Sequence, residues 1–150
     1  MTELSMRDAV SERAPRPYRK SAPNIVVIVL DDLGFAQAGC YGSDLETPNL
    51  DRIAERGIRF TNFHTTAICS PTRACLLTGR NHHRVGMGML PDLPVNFPGY
   101  TGTFPDNAAT IAEILKADGY VTSAIGKWHL TARDQRATGP YDMWPTGVGF

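Results

Sequence analysis

The 150-residue chain is 42% apolar and 20% charged, which is the balance of a globular protein. Fifteen basic residues offset fifteen acidic ones, so no net field draws the chain to nucleic acid or to an anionic membrane. Its longest apolar run, Ile25–Leu30, is too short to span a bilayer, and neither a nucleic-acid nor a membrane partner is expected.

Met1–Pro23 carries Arg7, Arg13, Arg16, Arg19 and Lys20, three prolines and few apolar residues. Residues 1–23 therefore read as a disordered leader ahead of a folded part at 24–150. The leader lacks the apolar core of a secretory signal. Cys40, Cys69 and Cys75 are odd in number and set no disulfide pattern, so a reducing cytoplasm is expected.

Asn24–Leu30 is β-branched and continuously apolar, which suits a central parallel strand covered on both faces. It runs into Asp31-Asp32-Leu33-Gly34. Ligands in open α/β sheets bind beyond the carboxyl ends of strands, and two adjacent carboxylates there call for a cation. A hard divalent metal answers that need, whereas a solvated turn capped by Asp32 is the plainer alternative, and both stay open here. Thr47-Pro48 then opens a helix, with Thr47 as N-cap and Leu50, Ile53 and Ala54 as its apolar face, and Gly57 stops it. Ile58–His64 alternates like a strand.

Cys69-Ser70-Pro71-Thr72-Arg73 follows, then an apolar helix that ends at Gly79. A thiol at a helix start lies where backbone N–H groups favour negative charge, and Arg73 stands about one turn on. The stretch offers a seat for an activated sulfur or an anion; alternatively Cys69 is an inert buried thiol. Asn81–Gly102 has no clear period and reads as loop or rim, with His82 and His83 as surface residues. Thr110–Asp118 is a second amphipathic helix that buries Ile111, Ile114 and Leu115 and stops at Gly119. Tyr120–Ile125 is a further strand, ending in Gly126-Lys127-Trp128-His129. Thr131–Phe150 shows no closing strand or helix.

Strands alternating with helices imply an α/β fold, a mostly parallel sheet flanked by helices. Three polar clusters follow presumed strand ends, namely Asp31/Asp32, Cys69/Arg73 and Lys127/His129. Brought to one edge, they would suit a tetrahedral dianion beside a metal.

At this point the motifs become recognisable. Cys69–Arg73, extended through Leu76-Leu77-Thr78-Gly79, resembles the first signature of the type I sulfatases (the arylsulfatase family), and Gly119-Tyr120, Thr122 and Gly126–His129 resemble the second. Asp31–Gly34 and Thr47–Asp51 match further landmarks in the same order. The resemblance covers Pro23–Phe150. It implies an alkaline-phosphatase-like fold and hydrolysis of small-molecule sulfate esters. Cys69 would be converted to formylglycine by machinery that reads Pro71 and Arg73. The hydrated aldehyde has two hydroxyls, one to attack sulfur and one whose deprotonation releases sulfate. Asp31, Asp32 and modified Cys69 would bind a divalent metal, usually Ca2+. Arg73 would hold the ionised hydroxyl, Lys127 would bridge to a sulfate oxygen, and His129 would bond the second hydroxyl and take its proton.

Family members are several-fold longer, and nothing after His129 resembles their remaining metal and sulfate ligands. A truncated, poorly stable and nearly inactive N-terminal portion is the expectation, from a bacterial cytoplasm. A phosphonate or phosphate monoester hydrolase of the same superfamily, and a non-catalytic fragment, are the alternatives.

Overall fold

The computed structural model describes residues 9–10, 16–17, 21–135 and 137–150. Most of the expected leader lies outside these. Its described Arg16 donates a backbone hydrogen bond to the Ala117 carbonyl at 3.2 Å and pairs with Asp118 at 3.2 Å. Besides the helical residues 9–10, the described residues form the α-helices α1 (Pro48–Arg56), α2 (Cys69–Thr78) and α3 (Ile111–Ala117). Short 3-10 turns stand at Phe35–Gln37, Gly39–Tyr41, His82–Val85 and Pro145–Val148. The chain divides into two units, Ile25–Thr65 and the remainder.

The Ile25–Thr65 unit holds α1. Pro48 takes the first helical position, where its missing N–H costs nothing. Thr47 stands at the N-cap but does not cap with its side chain. Its Oγ1 instead accepts from the Gly39 N–H at 2.7 Å and donates to Asp51 Oδ1 at 3.0 Å, tying α1 to the turn before it. The expected apolar face is not buried, since Ile53 is 62% exposed. Among the described residues of this unit, Ala38 is the buried apolar one, so α1 has no core to pack against.

The other unit has such a core. Ala74 from α2 packs with Val85, Met87, Phe104, Ala108, Leu130, Ala132 and Met143, and Leu77 and Trp128 lie against the cluster. α2 ends at Gly79, which takes the left-handed conformation at φ +65° and returns its N–H to the Cys75 carbonyl. α3 opens with a reciprocal cap. The Glu113 N–H donates to Thr110 Oγ1 at 3.1 Å, and the Thr110 N–H donates to Glu113 Oε2 at 2.6 Å. The face α3 buries is not the predicted one. Ala112 is 1% exposed, while Ile111 and Ile114 remain 45% and 47% exposed. The reason is close backbone packing. A Cβ at Gly149 would meet the Glu113 nitrogen at 2.4 Å, so the Pro145–Val148 turn lies directly on the first turn of α3. Thr110 Oγ1 donates to the Val148 carbonyl at 2.7 Å and fixes that approach.

The segments beyond the predicted elements also pack. The expected rim at 81–102 contributes fully buried Val85 and Met87. In the closing segment, Gln135 accepts from the Met143 N–H at 2.6 Å, and Trp144 Nε1 donates to the Gln135 carbonyl at 2.8 Å.

The predicted strands are the main departure. Asn24–Leu30, Ile58–His64 and Tyr120–Ile125 form no strand among the described residues. A strand exists only through ladder bonds to a neighbour, and these segments make none there. The side chains of Ile25–Leu30 stand 41–81% exposed, and Val121 and Ile125 stand 90% and 100% exposed. The mostly parallel sheet expected from the sequence is thus not formed within the described chain. No helix among the described residues is long and apolar enough to cross a membrane.

Candidate active site

α2 starts at the cysteine itself. Cys69 is its first residue and follows Ile68, an N-cap with no side chain able to cap. The turn is set by neighbours instead. The hydroxyls of Thr66 and Thr72 lie 2.6 Å apart, and Thr72 Oγ1 reaches the Thr66 carbonyl at 3.1 Å. Ser70, Pro71 and Ala74 are buried, so the first turn of α2 is held against the core while Cys69 and Arg73 keep partial exposure.

Three contacts join this turn to residues 127–129. Cys69 Sγ lies 3.1 Å from His129 Nδ1, across 60 positions of sequence. Ser70 Oγ donates to the His129 carbonyl at 2.6 Å. Arg73 Nη1 donates to the Lys127 carbonyl at 2.6 Å. Between the two carbonyls, Trp128 donates from Nε1 to the Met143 carbonyl at 2.8 Å and meets Phe150 edge-on at 5.8 Å. Leu130 follows, fully buried. His129 takes φ +55°, a left-handed backbone that is rare outside glycine. The Lys127 side chain is exposed.

The structure therefore gathers Cys69, Arg73, His129 and the Lys127 backbone at one helix start. Ser70 was missed by sequence reasoning. Its signal was only its place, in the first turn of a helix beside Cys69.

Asp31 and Asp32 belong to the Ile25–Thr65 unit. Both are exposed, and Asp32 takes φ +55°. Among the described residues, no three His, Cys, Asp or Glu side chains gather as a metal would require. Calcium takes six to eight oxygen ligands. Two exposed carboxylates do not by themselves fit it.

The remaining cysteines are also free thiols. The Cys40 carbonyl accepts from Arg59 Nη1. Cys75, on α2, places Sγ 3.7 Å from His82 Nδ1. His82 is half-buried and stacks on His83 at 4.1 Å, and His83 Nε2 lies 3.1 Å from the Tyr100 hydroxyl. Burial, with the adjacent His83 charge, lowers the His82 pKa below 6.5.

A helix start that sets a thiol against an imidazole, with a guanidinium one turn on, has the donors and partial charge that suit an anionic group. Comparison with known proteins gives that class a family. The family model described as Sulfatase matches residues 23–149. An uncharacterized sulfatase of Schizosaccharomyces pombe is 45% identical over 135 residues, covering 85% of this chain and 23% of that protein. Human arylsulfatase A is 50% identical over 110 residues, covering 72% of this chain and 21% of its own length. Mouse steryl-sulfatase is 43% identical over 138 residues, covering 90% of this chain and 21% of its own length. The chain belongs to the sulfatase family, and it spans about a fifth of the length of these relatives.

These relatives correct one expectation. The cytoplasmic, bacterial assignment does not stand against matches from human, mouse and fission yeast. It rested on an odd cysteine count and on the character of the first residues, and neither property fixes a cellular compartment.

Proposed function

We propose that this chain carries the nucleophile portion of a sulfuric ester hydrolase, with Cys69 converted to formylglycine and a small-molecule sulfate ester as substrate. The observation that carries this reading is the 3.1 Å pairing of Cys69 Sγ with His129 Nδ1 at the start of α2. Sγ stands where conversion would place an oxygen. The formylglycine-generating machinery is the proposed partner, and Pro71 and Arg73 are the residues it would read. An alkaline-phosphatase-like fold is proposed with the family.

Formylglycine, as a hydrated aldehyde, supplies a hydroxyl nucleophile and a second hydroxyl through which sulfate can leave. The chain's own residues do the rest. His129 Nδ1 is placed to take or hold a proton at the side chain of residue 69. The Arg73 guanidinium brings fixed positive charge one turn along α2. The exposed Lys127 ammonium would offer a point charge to a sulfate oxygen. The start of α2 adds its partial positive charge. Asp31 and Asp32 would supply two carboxylates to a divalent metal, Ca2+ by family habit, with the other ligands coming from elsewhere.

Expression together with the converting machinery tests this reading. Trypsin releases Phe60–Arg73, which contains Cys69 and neither of the other cysteines. Conversion exchanges sulfur for oxygen and removes two hydrogens, and mass spectrometry reads that change. A peptide that always retains its thiol overturns the proposal.

A further inference from the structure

The residue that interrupts the Cys69/Pro71/Arg73 pattern has a task of its own. Ser70 is fully buried, and its hydroxyl is spent on one partner, the His129 carbonyl at 2.6 Å. His129 needs such a partner. Its backbone stands at φ +55°, which a side chain with a Cβ adopts only when the surroundings hold it there. The next residue, Leu130, is locked in the core with no exposure, so its Cα end is fixed. On the other side, Arg73 Nη1 holds the Lys127 carbonyl at 2.6 Å. Ser70 and Arg73 are three apart on α2 and so share a face. Together they grip alternate carbonyls of residues 127–129, and the imidazole of His129 comes within 3.1 Å of Cys69 Sγ.

We infer that Ser70 is a positioning residue for His129: its buried hydroxyl holds the left-handed backbone that aims Nδ1 at the side chain of residue 69. One helical turn then carries both the group to be activated and the anchor of the group that acts on it. The inference rests on the proposed reading of the site for its catalytic meaning. Its geometry can be measured on the unconverted thiol, without turnover.

The test is an NMR measurement on the full 150-residue chain made with Cys69 as a thiol. The signal is the nuclear Overhauser effect between the Cys69 β protons and the His129 ring. Ser70→Ala leaves a part-buried carbonyl without its donor, and the effect should fall by at least about fivefold. Ser70→Thr keeps the hydroxyl and should retain it. Signals of the core methyls of Val85 and Leu130 report whether the fold persists. If Ser70→Ala loses the core as well, Ser70→Thr and Ser70→Val, equal in volume, decide the matter. Retention in Thr with loss in Val supports the inference, because only the hydroxyl differs. An unchanged contact in Ser70→Ala, or equal behaviour of Thr and Val, overturns it. A chain whose Cys69 is never converted would sink the functional reading and leave this measurement intact.

Discussion

α2 carries two cysteines, and each faces a histidine. Cys75 meets His82 at 3.7 Å across 7 positions of sequence, and Cys69 meets His129 at 3.1 Å across 60. The first pair is delivered by local geometry. Gly79 turns the chain at φ +65°, the Asn81 side chain accepts from the His83 N–H at 3.0 Å, and the next turn brings His82 back over α2. The second pair has no local route. Residue 129 is brought in by Ser70, Arg73, Trp128 and Leu130 acting together, and it is held in a backbone conformation disfavoured by about 1–2 kcal/mol. Ordering two distant segments costs loop entropy that a local pair does not incur. A thiol–imidazole contact is therefore cheap at Cys75 and over-determined at Cys69. Strain and redundant anchoring mark the second as the built site.

Chemistry separates the two pairs most strongly. Cys69 is followed by proline and arginine at +2 and +4, whereas Cys75 has Leu77 and Gly79 in those places. In a preparation that carries the conversion and hydrolyses an aryl sulfate, Cys69→Ala should lower kcat/KM by more than about 1,000-fold, as removal of a nucleophile does. Cys75→Ala should leave it within about threefold, because truncating a half-buried thiol away from Cys69 and His129 changes packing only slightly. Equal losses in the two variants would erase the distinction.

The anchors differ in kind, and stability should show it. Leu130→Ala opens a cavity beside His129 and should cost about 2–5 kcal/mol in urea unfolding. Gly79→Ala meets nothing within 4 Å, so it brings only the left-handed penalty, about 1–2 kcal/mol. A Gly79→Ala cost as large as that of Leu130→Ala would mean that the local pair is the more tightly held.

The same contrast accounts for what could be read before the fold was known. The family signatures and the helix limits were legible, because caps and signatures are local. Pro48 starts α1, Thr110 with Glu113 starts α3, and Gly79 ends α2. The partners were not legible. Ser70 and Gln135 look like ordinary polar residues until the segments that supply their carbonyl and N–H partners arrive. The buried face of α3 was misjudged because two isoleucines outweigh Ala112 in any apolar pattern, whereas close approach of Gly149 favours the small side. The expected strands are not formed among the described residues for the same reason on a larger scale. The run at 25–30 has every β-branched feature of a covered strand, but pairing is a property of neighbours, and among the described residues it has none.

The smallest expected effect concerns the local pair alone. Burial and the neighbouring His83 charge hold the His82 pKa below 6.5, so the folded state binds its proton less readily than the unfolded state does. The stability that His82 contributes is therefore complete above pH 6.5 and declines as pH falls from there through the folded value, after which it levels off. Unfolding free energy measured by urea titration at steps between pH 7.5 and about pH 5 should fall less steeply for His82→Gln than for the parent, because the variant has no proton to take up at this position. The two curves should run parallel above pH 7, where the imidazole is neutral in both states. A parent curve no steeper than that of the variant below pH 6.5 would mean that the ring is not desolvated, and Cys75–His82 would then be a surface contact with no energetic bearing on α2. The steeper parent curve instead identifies a neutral imidazole packed against the far end of the helix whose first residue is Cys69.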